Sequence, residues 1–137
     1  MNTYNINDTN FINSSEYQEF IKNNPEVGFL KIRAFAASGA IPISNMKVVV
    51  SKNVNNDNVI FYEGYTNSSG IIERITLPAP RLEVNNMNAP SRTSYLITAT
   101  YSNNIKTYEI NIYENVSVIQ NINITPTMER GSDTIWL

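Results

Sequence analysis

The sequence predicts an all-β fold, a seven-stranded antiparallel sandwich with one short N-terminal helix. Three observations carry this. Short apolar runs recur at even spacing between turn residues, as in Gly28–Ala34, Ile41–Ile43, Val48–Val50 and Ile75–Leu77. Within several runs apolar and polar residues alternate, the period of a half-buried strand; Leu30, Ile32 and Ala34 stand against Lys31 and Arg33. Only one segment, at Ser14–Lys22, has a helical period.

In chain order, residues 1–13 are polar with a few large apolar side chains, Tyr4, Ile6, Phe11 and Ile12. They read either as a loose tail or as an arm that docks on a neighbour. In Ser14–Lys22, Ser15 is the expected N-cap with Gln18 three residues on. Glu16 and Glu19 suit the positive end of the helix dipole. Tyr17, Phe20 and Ile21 form the apolar face, and Asn23-Asn24-Pro25 ends the helix. The helix is expected to plug one end of the sandwich.

The strands expected are Phe29–Ala36, Met46–Lys52, Val59–Thr66, Ile71–Leu77, Ser94–Tyr101, Ile105–Tyr113 and Val116–Thr125. Ser38–Ser44 is a connection with Gly39 and Pro42, Asn53–Asn58 a turn, and Thr66–Gly70 a tight turn where Gly70 can take positive φ. Ser102-Asn103-Asn104 reads as a hairpin turn. Tyr95, Ile97, Ala99 and Tyr101 share one face of their strand. Pro78–Pro90 is the longest irregular stretch. The chain divides into an arm and helix (1–27), a sandwich (28–126) and a tail (127–137) whose end, Ile135-Trp136-Leu137, carries the only tryptophan. Trp136 either folds back on the sandwich or anchors a partner. Seven strands is the number of an immunoglobulin-like sandwich.

Composition narrows the chemistry. The chain has 137 residues, one domain of ordinary size able to bury a core. It has no cysteine, so disulfides and thiolate metal sites are excluded. It has no histidine, the usual general base and commonest metal ligand. A net charge of −2 without a basic patch argues against nucleic acid. No run approaches a membrane helix in length, so no membrane partner is expected. The first residues lack a basic cluster and an apolar run, so the expectation is synthesis in the cytoplasm without a signal peptide. The many asparagines alternate with strand formers, which reads as coding bias and not as a prion-like tract.

Individual sites read weakly. Glu63, Glu73, Glu109 and Glu114 are the acids in or beside strands, and solvated faces explain them. Asn55-Asn56-Asp57-Asn58 holds one carboxylate, too few for calcium, and reads as a hairpin turn. Tyr62, Tyr65, Tyr101, Tyr108 and Tyr113 would make a sugar platform if they shared a face, although tyrosine also simply favours strands. No catalytic residue, cofactor or metal is expected.

Together these features resemble the transthyretin-like (prealbumin-like) sandwiches that include carboxypeptidase regulatory-type modules. The likeness rests on Gly28-Phe29-Leu30-Lys31-Ile32 leading to Ile41-Pro42-Ile43 and Val48-Val49-Val50. It also rests on the turn Thr66–Gly70 before Ile71, and on Tyr95-Leu96-Ile97-Thr98-Ala99 before two closing strands. A finer likeness is to a Clostridium-type version of the module. That version is found at the N-terminus of spore cortex-lytic enzyme precursors and as small stand-alone proteins. The residues behind it are Tyr17–Phe20, Asn24-Pro25 and Leu77–Pro80. Collagen-adhesin repeats share this sandwich and form an internal Lys–Asn isopeptide. Lys31 with Asn121 or Asn123 could imitate its partners, but Thr98 and Thr100 stand where those repeats place the acid.

The resulting expectation is a non-catalytic structural or adaptor protein of a larger assembly, in a phage-tail (baseplate) or tail-like bacteriocin particle. Its partners would be other protein subunits, touched through Phe11, Ile12, Leu82, Met87, Ile135, Trp136 and Leu137. The alternative expectation is a peptidoglycan- or glycan-binding module related to spore cortex lysis.

Overall fold

A computed structural model describes residues 2–83 and 91–124. In chain order the elements are β1 (Thr3–Asn5), α1 (Thr9–Ile12), α2 (Ser15–Asn23) and β2 (Glu26–Ala36). A 3-10 turn at Ala37–Gly39 leads to β3 (Ile41–Pro42), β4 (Lys47–Val54), β5 (Asp57–Tyr65) and β6 (Ile71–Ala79). Then come β7 (Thr93–Tyr101), β8 (Asn104–Ile112) and β9 (Ser117–Ile124). All seven expected strands are present, and the fold is the all-β sandwich with a short N-terminal helix.

One sheet runs β1-β5-β4-β7-β8. The other is built around β2. Along one flank β6 pairs antiparallel from Glu26 to Arg33 and β3 takes over at Phe35 and Ala36, while β9 also pairs with β2, in parallel. Alternation sets the core between the sheets. Leu30, Ile32 and Ala34 of β2, Ile75 and Leu77 of β6 and Ile122 of β9 are at most 2% exposed, as are Val48, Val50, Val59, Tyr95, Ile97, Ala99 and Ile112 of the opposing sheet. Each fully buried aliphatic side chain contributes roughly 1.5–3 kcal/mol relative to exposure. Gly70 has φ +75, the left-handed conformation expected of it, and its amide donates to Asn67 O at 2.9 Å.

The N-terminal region departs from both readings of it. Residues 3–5 are neither a loose tail nor an arm on a neighbour. They form a parallel edge strand on β5, with Thr3 opposite Asn58 and Asn5 opposite Ile60. Asp8 caps the single turn of α1, which brings Phe11 back over the strand, where its ring stacks on Tyr4 at 4.7 Å between centroids. The N-cap of α2 is Ser14, one residue earlier than expected; its hydroxyl accepts from the Tyr17 amide at 3.3 Å. Gln18 does not close a capping box. Its side chain donates to Ile12 O at 2.7 Å instead, tying α2 to α1. Phe20 then packs on Phe61, and Phe61 meets Tyr95 edge-on at 5.2 Å. Pro78 and Ala79 belong to β6 rather than to the irregular stretch that follows.

Candidate functional site

An irregularity in the β2–β6 pairing creates the site. Leu30 is opposite Ile75 and Ile32 is opposite Ile72, so β6 advances three residues while β2 advances two. Glu73 and Arg74 therefore share the place opposite Lys31. Such a bulge leaves one residue unpaired and turns side chains that regular alternation would send to opposite faces. Ile72 and Ile75 keep their places in the core, and both Glu73 and Arg74 are exposed. On the other flank of β2, the parallel partner β9 sets Ser117 beside Phe29 and Ile119 beside Lys31. The outer face of this sheet thus carries an open groove of about 460 Å³, floored by the Phe29 ring and the β2 backbone at Leu30.

Its charges are held in different ways. Lys31 Nζ lies 3.6 Å from Glu73 Oε2, an ion pair at the surface whose lysine is one-third exposed and whose glutamate is 71% exposed. A pair so hydrated contributes little to stability and its members are free to take other partners. The Arg74 guanidinium carbon sits 3.8 Å above the centre of the Phe29 ring. This cation–π contact fixes the plane of the guanidinium. No hydrogen bond among the described residues occupies its N–H edges. Two cations, one carboxylate and one hydroxyl thus line the groove, with Ile119, 55% exposed, as an apolar wall. This set can bind a small polar anion, stabilise a developing oxyanion and move a proton at Glu73.

The residues singled out from sequence do not gather here. Phe11 is 6% exposed and belongs to the chain's own core, so it offers no surface to a partner. Ile12 is half-buried beside it. Leu82 is half-buried, and its amide donates to Glu114 Oε1 at 2.6 Å. Met87, Ile135, Trp136 and Leu137 lie outside the described residues.

The tyrosines do not form one platform. Tyr62 and Tyr108 pair with Val50 and Ile97 in a row facing the core, whereas Tyr65 is 58% exposed at the end of β5. Asn55 and Asn56 both have positive φ, and Asn56 donates its amide to Asn53 Oδ1 at 3.0 Å, so this segment is the hairpin turn. Lys31 turns to Glu73, while Asn121 is paired with Arg33. Among the described residues no three acidic side chains cluster.

The sequence offers Glu73 and Lys31 but not as a pair, and nothing in it gives Arg74, Ser117 or Phe29 a place in a site. One signal was available. In Ile72-Glu73-Arg74-Ile75 two polar residues separate two apolar ones, which breaks the period of two and marks an inserted residue.

No protein-family model matches the sequence, and no curated protein matches it either. Solved structures do match in fold. The structure of Klebsiella pneumoniae 5-hydroxyisourate hydrolase superposes with a TM-score of 0.52 at 17% identity, covering 74% of this chain and 92% of that one. The crystal structure of (S)-allantoin synthase superposes with a TM-score of 0.50 at 11% identity, covering 80% of this chain and 44% of that one. Likeness at this identity shows the fold, which is the transthyretin-like sandwich. Both of these structures are enzymes. That finding stands against the expectation of a non-catalytic structural or adaptor protein in a phage-tail or bacteriocin-like particle. Lack of histidine and cysteine was the main ground for expecting no enzyme, and it excludes particular side chains, not acid–base chemistry as such.

Proposed function

We propose that this chain is an enzyme that hydrolyses a small polar molecule bound in the groove around Lys31. The observation that carries the reading is the bulge at Glu73 and Arg74, which sets a carboxylate and two cations side by side on an open sheet face. The fold adds support, since a hydrolase of 5-hydroxyisourate is built on the same sandwich.

The chemistry follows from the groups present. Arg74 and Lys31 draw charge onto the substrate carbonyl oxygen and stabilise the oxyanion that forms there. Glu73 takes a proton from water as the water oxygen adds to the carbonyl carbon. The same proton passes to the leaving nitrogen or oxygen when the tetrahedral species collapses. Ser117 donates a hydrogen bond to the bound molecule, and Phe29 holds the Arg74 plane.

The test is turnover of a panel of small cyclic amides, imides and ureides, followed by loss of their ultraviolet absorbance. Glu73→Gln should lower kcat on the order of 10²–10⁴-fold, the usual contribution of a positioned base. Glu73 is exposed, so the variant keeps its fold, which circular dichroism checks. Absence of turnover across the panel, or a Glu73→Gln variant as active as the parent, refutes the proposal.

The finer likeness to the spore cortex-lytic type of module rests on short motifs with a place in the fold itself. Asn24 donates its side-chain amide to Phe20 O at 2.9 Å, and Leu77 is fully buried.

A further inference from the structure

The outer face of β2 continues past the groove. Leu30, Ile32 and Ala34 point into the core, so Phe29, Lys31, Arg33 and Phe35 share the opposite side. Phe29 and Lys31 line the groove, and Arg33 stands next along the strand, about 6.6 Å beyond Lys31. Lys31 faces Glu73, Lys47 faces Glu63 and Arg81 faces Glu26. Arg33 has no such partner. Its neighbours across the sheet are Ile71 of β6 and Asn121 of β9, both uncharged. Among the described residues no ion pair or hydrogen bond holds its guanidinium. The guanidinium carbon lies instead 5.2 Å from the centre of the Phe35 ring. Two arginines seated on phenylalanine, Arg74 on Phe29 and Arg33 on Phe35, thus flank the Lys31–Glu73 pair. Lys31, Arg33 and Arg74 meet one acid here, in a chain whose net charge is −2.

From this geometry we infer that the groove extends to a carboxylate-binding subsite at Arg33, so that the molecule it takes is an anion. The ligand class is a small ring bearing the reacting carbonyl, with a carboxylate on an arm of two or so carbons. This deepens the hydrolytic reading of the groove and rests on it. An aromatic ring covers one face of a guanidinium and leaves its N–H edges open. Those edges take a carboxylate through two parallel N–H···O bonds, a geometry that an ammonium lacks. Asn121, exposed beside Arg33, adds a side-chain amide donor. With its carboxylate held there, a ligand of this length has its carbonyl back at Lys31 and Arg74. The excess of positive charge on this face favours an anion over a neutral ring of the same shape.

Two measurements on the full chain test this separately. In NMR titrations adipate, a dicarboxylate of matching span, should shift the amides of Arg33, Phe35 and Asn121. It should do so at a concentration on the order of 10-fold below that of neutral adipamide, as expected of a hydrogen bond to a charged group. Arg33→Gln should remove the difference and Arg33→Lys keep part of it. In turnover, hydantoin-5-propionate should have a KM on the order of 10-fold below that of hydantoin at similar kcat, a gap that Arg33→Gln closes. Adipate that shifts no amide near Arg33, or that binds Arg33→Gln as well as the parent, overturns the inference. So does turnover of both rings without preference for the carboxylate, a result that keeps the hydrolytic reading. Adipate bound through Arg33 with neither ring turned over supports the subsite and counts against hydrolysis alone.

Discussion

Thr66 ties a turn to the core through one hydroxyl. The group is 3% exposed, donates to Ile43 O at 2.6 Å and accepts from the Met46 amide at 3.0 Å. Thr66→Val keeps the shape and leaves a buried carbonyl and a buried amide without partners. The expected loss is about 2 kcal/mol or more, read from the urea midpoint. Gly28 is small for a different reason. A Cβ built there would lie 2.3 Å from Tyr113 O and 2.5 Å from an Ile112 methyl, where β2 passes the end of β8. Gly28→Ala must push backbone aside, so it should cost on the order of 1–3 kcal/mol by the same measurement. An alanine that left stability unchanged would mean the strands can separate there freely. Thr66 and Gly28 both stood in segments that the sequence marked as turn and strand. Their partners lie up to 85 residues away, and no local pattern names them.

At the scale of elements, the helix shows both success and failure of local reading. The apolar face of Tyr17, Phe20 and Ile21 is legible because side chains three and four apart share a side. The start was misplaced because Ser14 and Ser15 are both capping residues, and only the extended backbone of Ser14, with ψ 154, decides between them. Ser14→Ala should therefore destabilise the protein by about 1 kcal/mol, with Ser15→Ala close to neutral, in paired thermal melts. The short strand β1 was missed altogether. Three residues carry no period, and they pair with β5 beneath Phe11, whose ring stacks on Tyr4. Phe11→Ala should cost roughly 3 kcal/mol and release the amides of residues 3–6 to rapid hydrogen exchange while β4 and β7 stay protected. Retained protection at Ile6, whose amide donates to Ile60 O, would show that strand pairing alone holds the arm.

For the molecule as a whole, alkaline pH probes how the two sheets are locked together. Tyr95 reaches from β7 to Pro78 O of β6 at 2.5 Å, and burial, the main cause, together with nearby Tyr17, raises its pKa well above the ordinary value. Burial also raises Tyr17, Tyr62 and Tyr108. The folded state then holds phenol protons that the unfolded chain gives up. This stabilisation is complete below pH 10 and is lost as pH rises through the folded values. Lys52 acts in the opposite sense, because its lowered pKa makes the folded state release a proton first. Stability should fall between pH 10 and 12 in denaturant titrations. Tyr95→Phe should start about 1 kcal/mol lower at pH 8 and fall less steeply. An equally steep fall in that variant would assign the loss to other groups.

The sequence by itself determined the class of fold, because alternation of apolar and polar residues is a local property and a two-sheet sandwich is the way to bury so many one-sided strands. It also determined which residues face the core within most strands, as Tyr95, Ile97 and Ala99 show. Tertiary structure decided the rest. The parallel pairing of β9 with β2, the fate of Phe11 and the meeting of Lys31, Glu73, Arg74 and Ser117 all depend on register between segments distant in the chain. Register is settled by the summed fit of two whole strands, and an inserted residue such as that at Glu73-Arg74 changes which side chains become neighbours. A chemistry made of ordinary residues becomes visible only when that register is known.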